Sequence, residues 1–160
     1  MAQIRLSDDL IYQLIQEKKP LPANLVSGRA MTVRNGHYRK EYSIRADSGS
    51  EFVIKIRQSA INLMNFSVIL GYKIPGLHTV FRLRRYNGRH FHTNLIEGNR
   101  FQDFHVHTAT ERYQKKGVDE EYFAEASAHH YDLQSAIERL VTDCGFYTSY
   151  PDLPMFPSNS

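Results

Sequence analysis

The stretch MTVRNGHYRKEYSIRADSGSEFVIKIR, residues 31–57, decides the fold. Asn35-Gly36 is a strong hairpin signal, because both residues tolerate the positive φ that a type I′ turn demands. It separates Met31–Arg34 from His37–Arg45. A second turn at Asp47-Ser48-Gly49-Ser50 leads into Phe52, Ile54 and Ile56, which alternate with Val53, Lys55 and Arg57. That period of two places one set of side chains on each face of a sheet. The opening reading is therefore an antiparallel meander.

The pattern continues outward. Met64, Phe66, Val68 and Leu70 alternate with Asn65, Ser67 and Ile69, and Pro75-Gly76 turns the chain. Asn87-Gly88 predicts another hairpin, joining Thr79–Tyr86 to Arg89–Asn94, and Phe104–Thr108 reads as a further strand. Helices bracket the strands. In the first, Ser7 suits the N-cap and Asp8 and Asp9 suit the positive end of the dipole. Lys18 and Lys19 suit its other end, and Leu10, Ile11, Leu14 and Ile15 recur at helical spacing before Pro20. Leu21 to Gly28 reads as a connector. In the last, Asp132 suits the N-cap and Gly145 the terminator. Leu133, Ala136, Ile137, Leu140, Val141 and Cys144 form one apolar stripe between them. The expected fold is α+β, an antiparallel meander sheet of six or seven strands with an N-terminal and a C-terminal helix. Residues 1–150 form one domain, and 151–160 a tail marked by Pro151, Pro154 and Pro157.

With 160 residues, 41% hydrophobic and 23% charged, the chain can bury a core without staples and lacks a disordered composition. Cys144 has no second cysteine to pair with, and it sits on an apolar helical stripe where a buried small hydrophobe is expected. No apolar run approaches the roughly 20 residues of a membrane span, and the N-terminus lacks a secretory h-region. The expectation is a cytoplasmic protein without a membrane partner. A net charge of +3 favours an anionic partner, without the excess of a nucleic-acid coat.

Function is concentrated between Tyr72 and Tyr113. The Asn87-Gly88 register places His90 and His92 on one face of a hairpin with Phe81, Leu83 and Arg85. The opposite face carries Arg82, Arg84, Tyr86, Arg89 and Phe91. A second His-x-His, His105 and His107, alternates with Phe104 and Val106. Imidazoles two apart on a strand project the same way, about 6.5–7 Å apart. Four of them on adjoining strands suit proton transfer or metal binding. The two patterns pull apart, since Phe104 and Val106 turn His105 and His107 from the core while Phe81 and Leu83 turn His90 and His92 toward it. They agree only if the rings meet in a pocket. Each His-x-His is followed by a glutamate, Glu97 or Glu111, a spacing similar to cupin metal motifs; the flanking glycine spacings are wrong for that pattern, and helices bracket the sheet.

Arg84, Arg85 and Arg89 form the densest basic patch with Arg82, and arginine forks suit phosphate. Glu111, Arg112 and Tyr113 add an acid, a cation and a phenol immediately after the second histidine pair. The segment Phe104-His105-Val106-His107-Thr108-Ala109-Thr110-Glu111-Arg112-Tyr113-Gln114, with Asp143-Cys144-Gly145-Phe146, resembles a small family of uncharacterised bacterial proteins. The resemblance implies a prokaryotic or mobile-element origin and carries no activity. Three functions follow. The first is binding of RNA or another phosphate-rich ligand, extending to metal-independent cleavage. His92, His105, His107, Glu111 and Tyr113 would be its catalytic groups, and Arg84, Arg85, Arg89, His90 and Arg112 its ligand contacts. That reading calls for no cofactor and assigns no metal ligand. The second is a protein-interaction module, a partner or inhibitor in a bacterial conflict system. The third is a His-ligated metal protein.

Overall fold

The computed structural model describes residues 4–25, 32–118 and 120–148. The chain opens on α1 (Asp8–Gln16), whose Ser7 side chain accepts from the Leu10 N–H. Ile11, Leu14 and Ile15 are buried on its inner side. The helix ends before Lys19, which instead lies in β1 (Lys19–Pro20). Then come β2 (Thr32–Arg34) and β3 (His37–Arg45), joined by Asn35 at φ 52° and Gly36 at φ 75° as the turn chemistry requires. Met31, Val26 to Gly28 of the expected connector and the tail 151–160 lie outside the described residues.

The next strands are β4 (Glu51–Ser59), β5 (Phe66–Lys73) and β6 (Val80–Asn87). A short ribbon, β7 (His92–Thr93) with β8 (Arg100–Phe101), precedes β9 (His105–Thr108) and α2 (Glu111–Lys115). The chain closes with β10 (Ala124–Ala126), α3 (Leu133–Asp143) and β11 (Phe146–Tyr147). Among the described residues, seven strands form one antiparallel sheet in the order β10-β9-β6-β5-β4-β3-β2. β1 and β11 pair separately and in parallel. The α+β meander with terminal helices is the fold observed.

One face of this sheet carries Phe52, Ile54, Ile56, Phe66, Val68 and Leu70, all buried in a cluster with the inner sides of α1 and α3. Each such side chain contributes roughly 1.5–3 kcal/mol on leaving water. The apolar stripe of α3 is buried as its spacing requires, Asp132 and Ser135 close a reciprocal capping box, and Cys144 is fully enclosed. The other face carries Arg39, Lys55, Arg57, Arg85, His105 and His107, away from the cluster that α1 and α3 share. The site lies there.

The expected hairpin at Asn87-Gly88 does not form. β6 pairs with β5 and β9, so Arg89–Asn94 does not run beside Thr79–Tyr86 in the expected register. Gly88 lacks positive φ. Its role is close approach, since a Cβ there would lie 1.8 Å from the Met64 carbonyl oxygen. The Gly88 N–H bonds the Phe66 carbonyl at 3.0 Å, and the chain leaves the sheet to fold the β7–β8 ribbon. β5 likewise starts at Phe66 rather than Met64, because the Asn62 side chain and carbonyl hold the Met64 and Asn65 N–H groups in a turn.

Candidate metal centre

Cross-strand register assembles the site. Arg85 stands opposite His107 and Asn87 opposite His105, on the face of β6 and β9 away from Tyr86 and Val106. The segment after Gly88 then brings His90 and His92 onto the same spot. Ring centroids are 4.6 Å apart for His90 and His105, 5.4 Å for His92 and His105, and 4.9 Å for His92 and His107. His105 and His107 are likewise 4.9 Å apart. The four imidazoles meet, and the opposition between the two hydrophobic patterns falls away with the hairpin register, since Leu83 lies in the core cluster and not beside His90 and His92. One ring nitrogen from each of His92, His105 and His107 lies within 4.8 Å of the others.

Hydrogen bonds set the tautomers. His105 Nδ1 lies 2.9 Å from the Asp103 carbonyl, and His107 Nδ1 lies 2.9 Å from that of Glu120 and 3.0 Å from that of Phe123. A carbonyl only accepts, so both Nδ1 atoms carry hydrogen and both Nε2 lone pairs are bare. His92 Nε2 lies 2.8 Å from Asn94 Oδ1. That oxygen also accepts from the Ala124 N–H, while Asn94 Nδ2 donates to Asn99 Oδ1 and the Ala124 carbonyl. The Asn94 orientation is thus determined, His92 Nε2 is the donor, and its Nδ1 lone pair is bare. Each ring has one nitrogen tied by an oxygen acceptor and one available, the usual support of metal-ligating histidine.

Asn87 holds the remaining contact. Its Oδ1 accepts from Arg85 Nε at 3.0 Å, so its Nδ2 faces His105 Nε2 at 3.4 Å and His107 Nε2 at 3.2 Å. Burial is the main reason that His105 is pushed down to about 4 and His107 to about 3. Neighbouring imidazoles add to both shifts. Burial also lowers His90, with His92 and Arg85 contributing. At neutral pH the buried pair is uncharged, the form in which imidazole binds a metal. Phe101 closes one side, 5.4 Å from His92 and 5.7 Å from His105 between ring centroids.

A cavity of about 270 Å³ opens beside the cluster, lined by His90, His92, His107, Arg57, Arg85 and Ser67 among others. The other candidates named from sequence lie elsewhere. Arg84 is on the core side of β6, its Nε donating to Thr108 Oγ1. Arg89 reaches outward to the Gln102 carbonyl. Glu111 begins α2, where it pairs with Lys115 and its N–H donates to Asp8. Tyr113 is buried and donates to Glu97 Oε2 at 2.5 Å, and Arg112 ion-pairs with the same glutamate. Glu111, Arg112 and Tyr113 thus belong to the α2 region, and only His90, His92, His105, His107 and Arg85 of the original set converge. Asn87, Asn94 and Arg57 join them from outside that set. For Asn87 and Arg57 the signal is cross-strand register, visible once β6 is known to pair with β9 and β5 with β4, whereas Asn94 enters through its side-chain bonds to His92 and the Ala124 backbone.

No protein family, curated protein or solved structure matches the chain.

Proposed function

We propose that this is a metal-binding protein whose centre is His92, His105 and His107, holding zinc or a similar divalent ion beside a surface for phosphate-bearing ligands. The observation that carries the reading is the convergence of three imidazoles, each with one ring nitrogen tied to a backbone carbonyl or to the determined Asn94 oxygen. Neutral imidazole suits zinc, copper, iron and nickel, and zinc sites with three protein ligands keep a position open for substrate or water. The Asn87 amide addresses the Nε2 lone pairs of His105 and His107 as a donor, so an ion held there would have to displace it.

The metal reading is preferred to metal-independent cleavage on protonation grounds. A histidine pair that divides acid and base duties needs one imidazolium at working pH. His105 and His107, at about 4 and about 3, supply none at pH 7. A divalent ion held by these histidines would supply the missing positive charge, as a Lewis acid toward a phosphoryl oxygen. With a phosphate ester the corresponding reaction is hydrolysis: water adds to phosphorus, one ester P–O bond breaks, and the leaving oxygen takes the proton. Arg57 and Arg85 stand beside the centre to hold the anion.

Metal analysis of protein purified without a histidine tag tests this. One equivalent of metal per chain is expected, lost in His105→Ala and His107→Ala, with turnover of a chromogenic phosphodiester lost alongside. A chain that takes up no zinc or cobalt after chelator treatment and reloading contradicts it. Co-purification of a stoichiometric protein partner with a metal-free chain would favour the interaction module instead.

A further inference from the structure

The cavity beside the histidines does not end there. A second groove of about 440 Å³ shares Arg57, Ser67 and Arg85 with it and adds Arg39 and Lys55. The strand register explains the continuity. One row across the open face runs Arg39, Arg57, Ser67, Asn87, His105, and the next runs Glu41, Lys55, Ile69, Arg85, His107. Five strands span four inter-strand spacings, roughly 19 Å at 4.7–4.9 Å each. We propose that this row is a track for the phosphodiester backbone of a single-stranded nucleic acid, laid across the sheet with one phosphate at the histidine centre.

Charge, length and lining carry the proposal. The cavity at the histidines is lined by two guanidiniums and has no carboxylate among its lining residues, and Glu41 is the one acid of the outer groove. A divalent ion on neutral imidazoles would raise the positive charge further, so an anion is required opposite it. Arg57 carries a second sign. Its Nη2 contacts His37 Nε2 at 3.0 Å, while its Nε is buried without a hydrogen-bond partner. Such a donor is costly to leave unmade, and a phosphate oxygen would satisfy it. A single phosphate fills one end of a path of that length, so the chemistry points to a chain of phosphates. The volume near the histidines is below the roughly 300–1,000 Å³ of drug-sized ligand pockets. Phe66 is the one aromatic carbon ring of the two linings, and it is buried. The track therefore reads backbone charge rather than base identity.

This proposal rests on the metal reading for the identity of the centre it leads to, and the test separates the two. Fluorescence anisotropy with labelled oligouridine and oligodeoxyuridine of roughly ten nucleotides is measured on zinc-loaded and chelator-treated protein, with inorganic phosphate as competitor. Expected are similar affinities for the two oligomers and a salt dependence that falls by about 0.7 in log–log slope for each contact removed. Arg57→Gln weakens both oligomer and phosphate by about tenfold or more, as the loss of a charge-assisted hydrogen bond implies. Lys55→Gln weakens the oligomer alone, and both variants keep the zinc stoichiometry of the parent. Zinc uptake without oligomer binding at low salt overturns the track and leaves the metal centre standing. Binding of phosphate alone, or of oligomers with parental affinity by both variants, overturns it equally. Oligomer binding that depends on Arg57 and Lys55 in a chain taking up no zinc sustains the track and removes the metal reading.

Discussion

His92, His105 and His107 are set apart from ordinary half-buried strand histidines by what their second nitrogens do. Spacing alone shows that His105 and His107 share a side of a strand, because alternate residues must. It is silent on which nitrogen is bare, since the Asp103, Glu120 and Phe123 carbonyls and the Asn94 amide come from outside the motif. The tautomers are directly measurable. Long-range proton–nitrogen spectra of metal-free protein at pH 7 should show Nδ1–H for His105 and His107 and Nε2–H for His92. Asn94→Ala removes the acceptor that orients His92, and zinc affinity in a chelator competition should fall by about 10–100-fold. Unchanged affinity would show that His92 is not a ligand. Glu111, Arg112 and Tyr113 teach the converse point. Chemically suitable side chains a few residues from a histidine pair are carried off by the helix that Thr110 caps, and neighbourhood in sequence does not survive the turn.

Elements whose signal is local were legible, and those whose signal is tertiary were not. The Asn35-Gly36 hairpin needs only φ, and the α3 stripe and its Asp132 cap need only helical period. Asn87-Gly88 looks the same by letter yet answers a different demand, the approach of Gly88 to the Met64–Phe66 backbone. Gly88→Ala should destabilise the fold by about 1–3 kcal/mol through overpacking against backbone, read as a lowered urea midpoint with unchanged slope. Because Asn87 adjoins, zinc affinity should fall with it. Lys19 is another case. Its place at the C-terminal end of the α1 dipole was legible but its burial was not: its ammonium is fully buried and donates to the carbonyls of Leu14, Ile15, Glu17 and Cys144 at 2.8–2.9 Å. Burial pushes it down to about 8, so it remains charged at pH 7 and ties the ends of α1 and α3 together. Lys19→Met, which leaves those carbonyls without their donor, should cost about 3 kcal/mol in the same unfolding measurement.

At the scale of the whole molecule, the sheet separates two kinds of work. One face buries the apolar cluster under α1 and α3, and the other gathers the histidines and the basic row. No helix among the described residues is long and apolar enough to cross a membrane. The division has a pH signature. His105 and His107 titrate near 4 and 3 in the folded chain, against roughly 6.5 when unfolded. As pH falls below about 6.5 the unfolded chain takes up protons that the folded one refuses. The stability of metal-free protein is therefore complete above that value and is lost down to the folded pKa values, at up to about 1.4 kcal/mol per pH unit for each ring. Urea midpoints at pH 7 and pH 5 should differ in this direction, and His105→Gln/His107→Gln should flatten the difference.

The central claim is that His92, His105 and His107 form one first coordination sphere, and X-ray absorption at the zinc edge reads that sphere directly. Zinc-loaded protein should give nitrogen ligands at about 2.0–2.1 Å with the outer-shell scattering of three imidazoles, reduced to two in His107→Ala. A spectrum without imidazole scattering, or one that His107→Ala leaves unchanged, would contradict it.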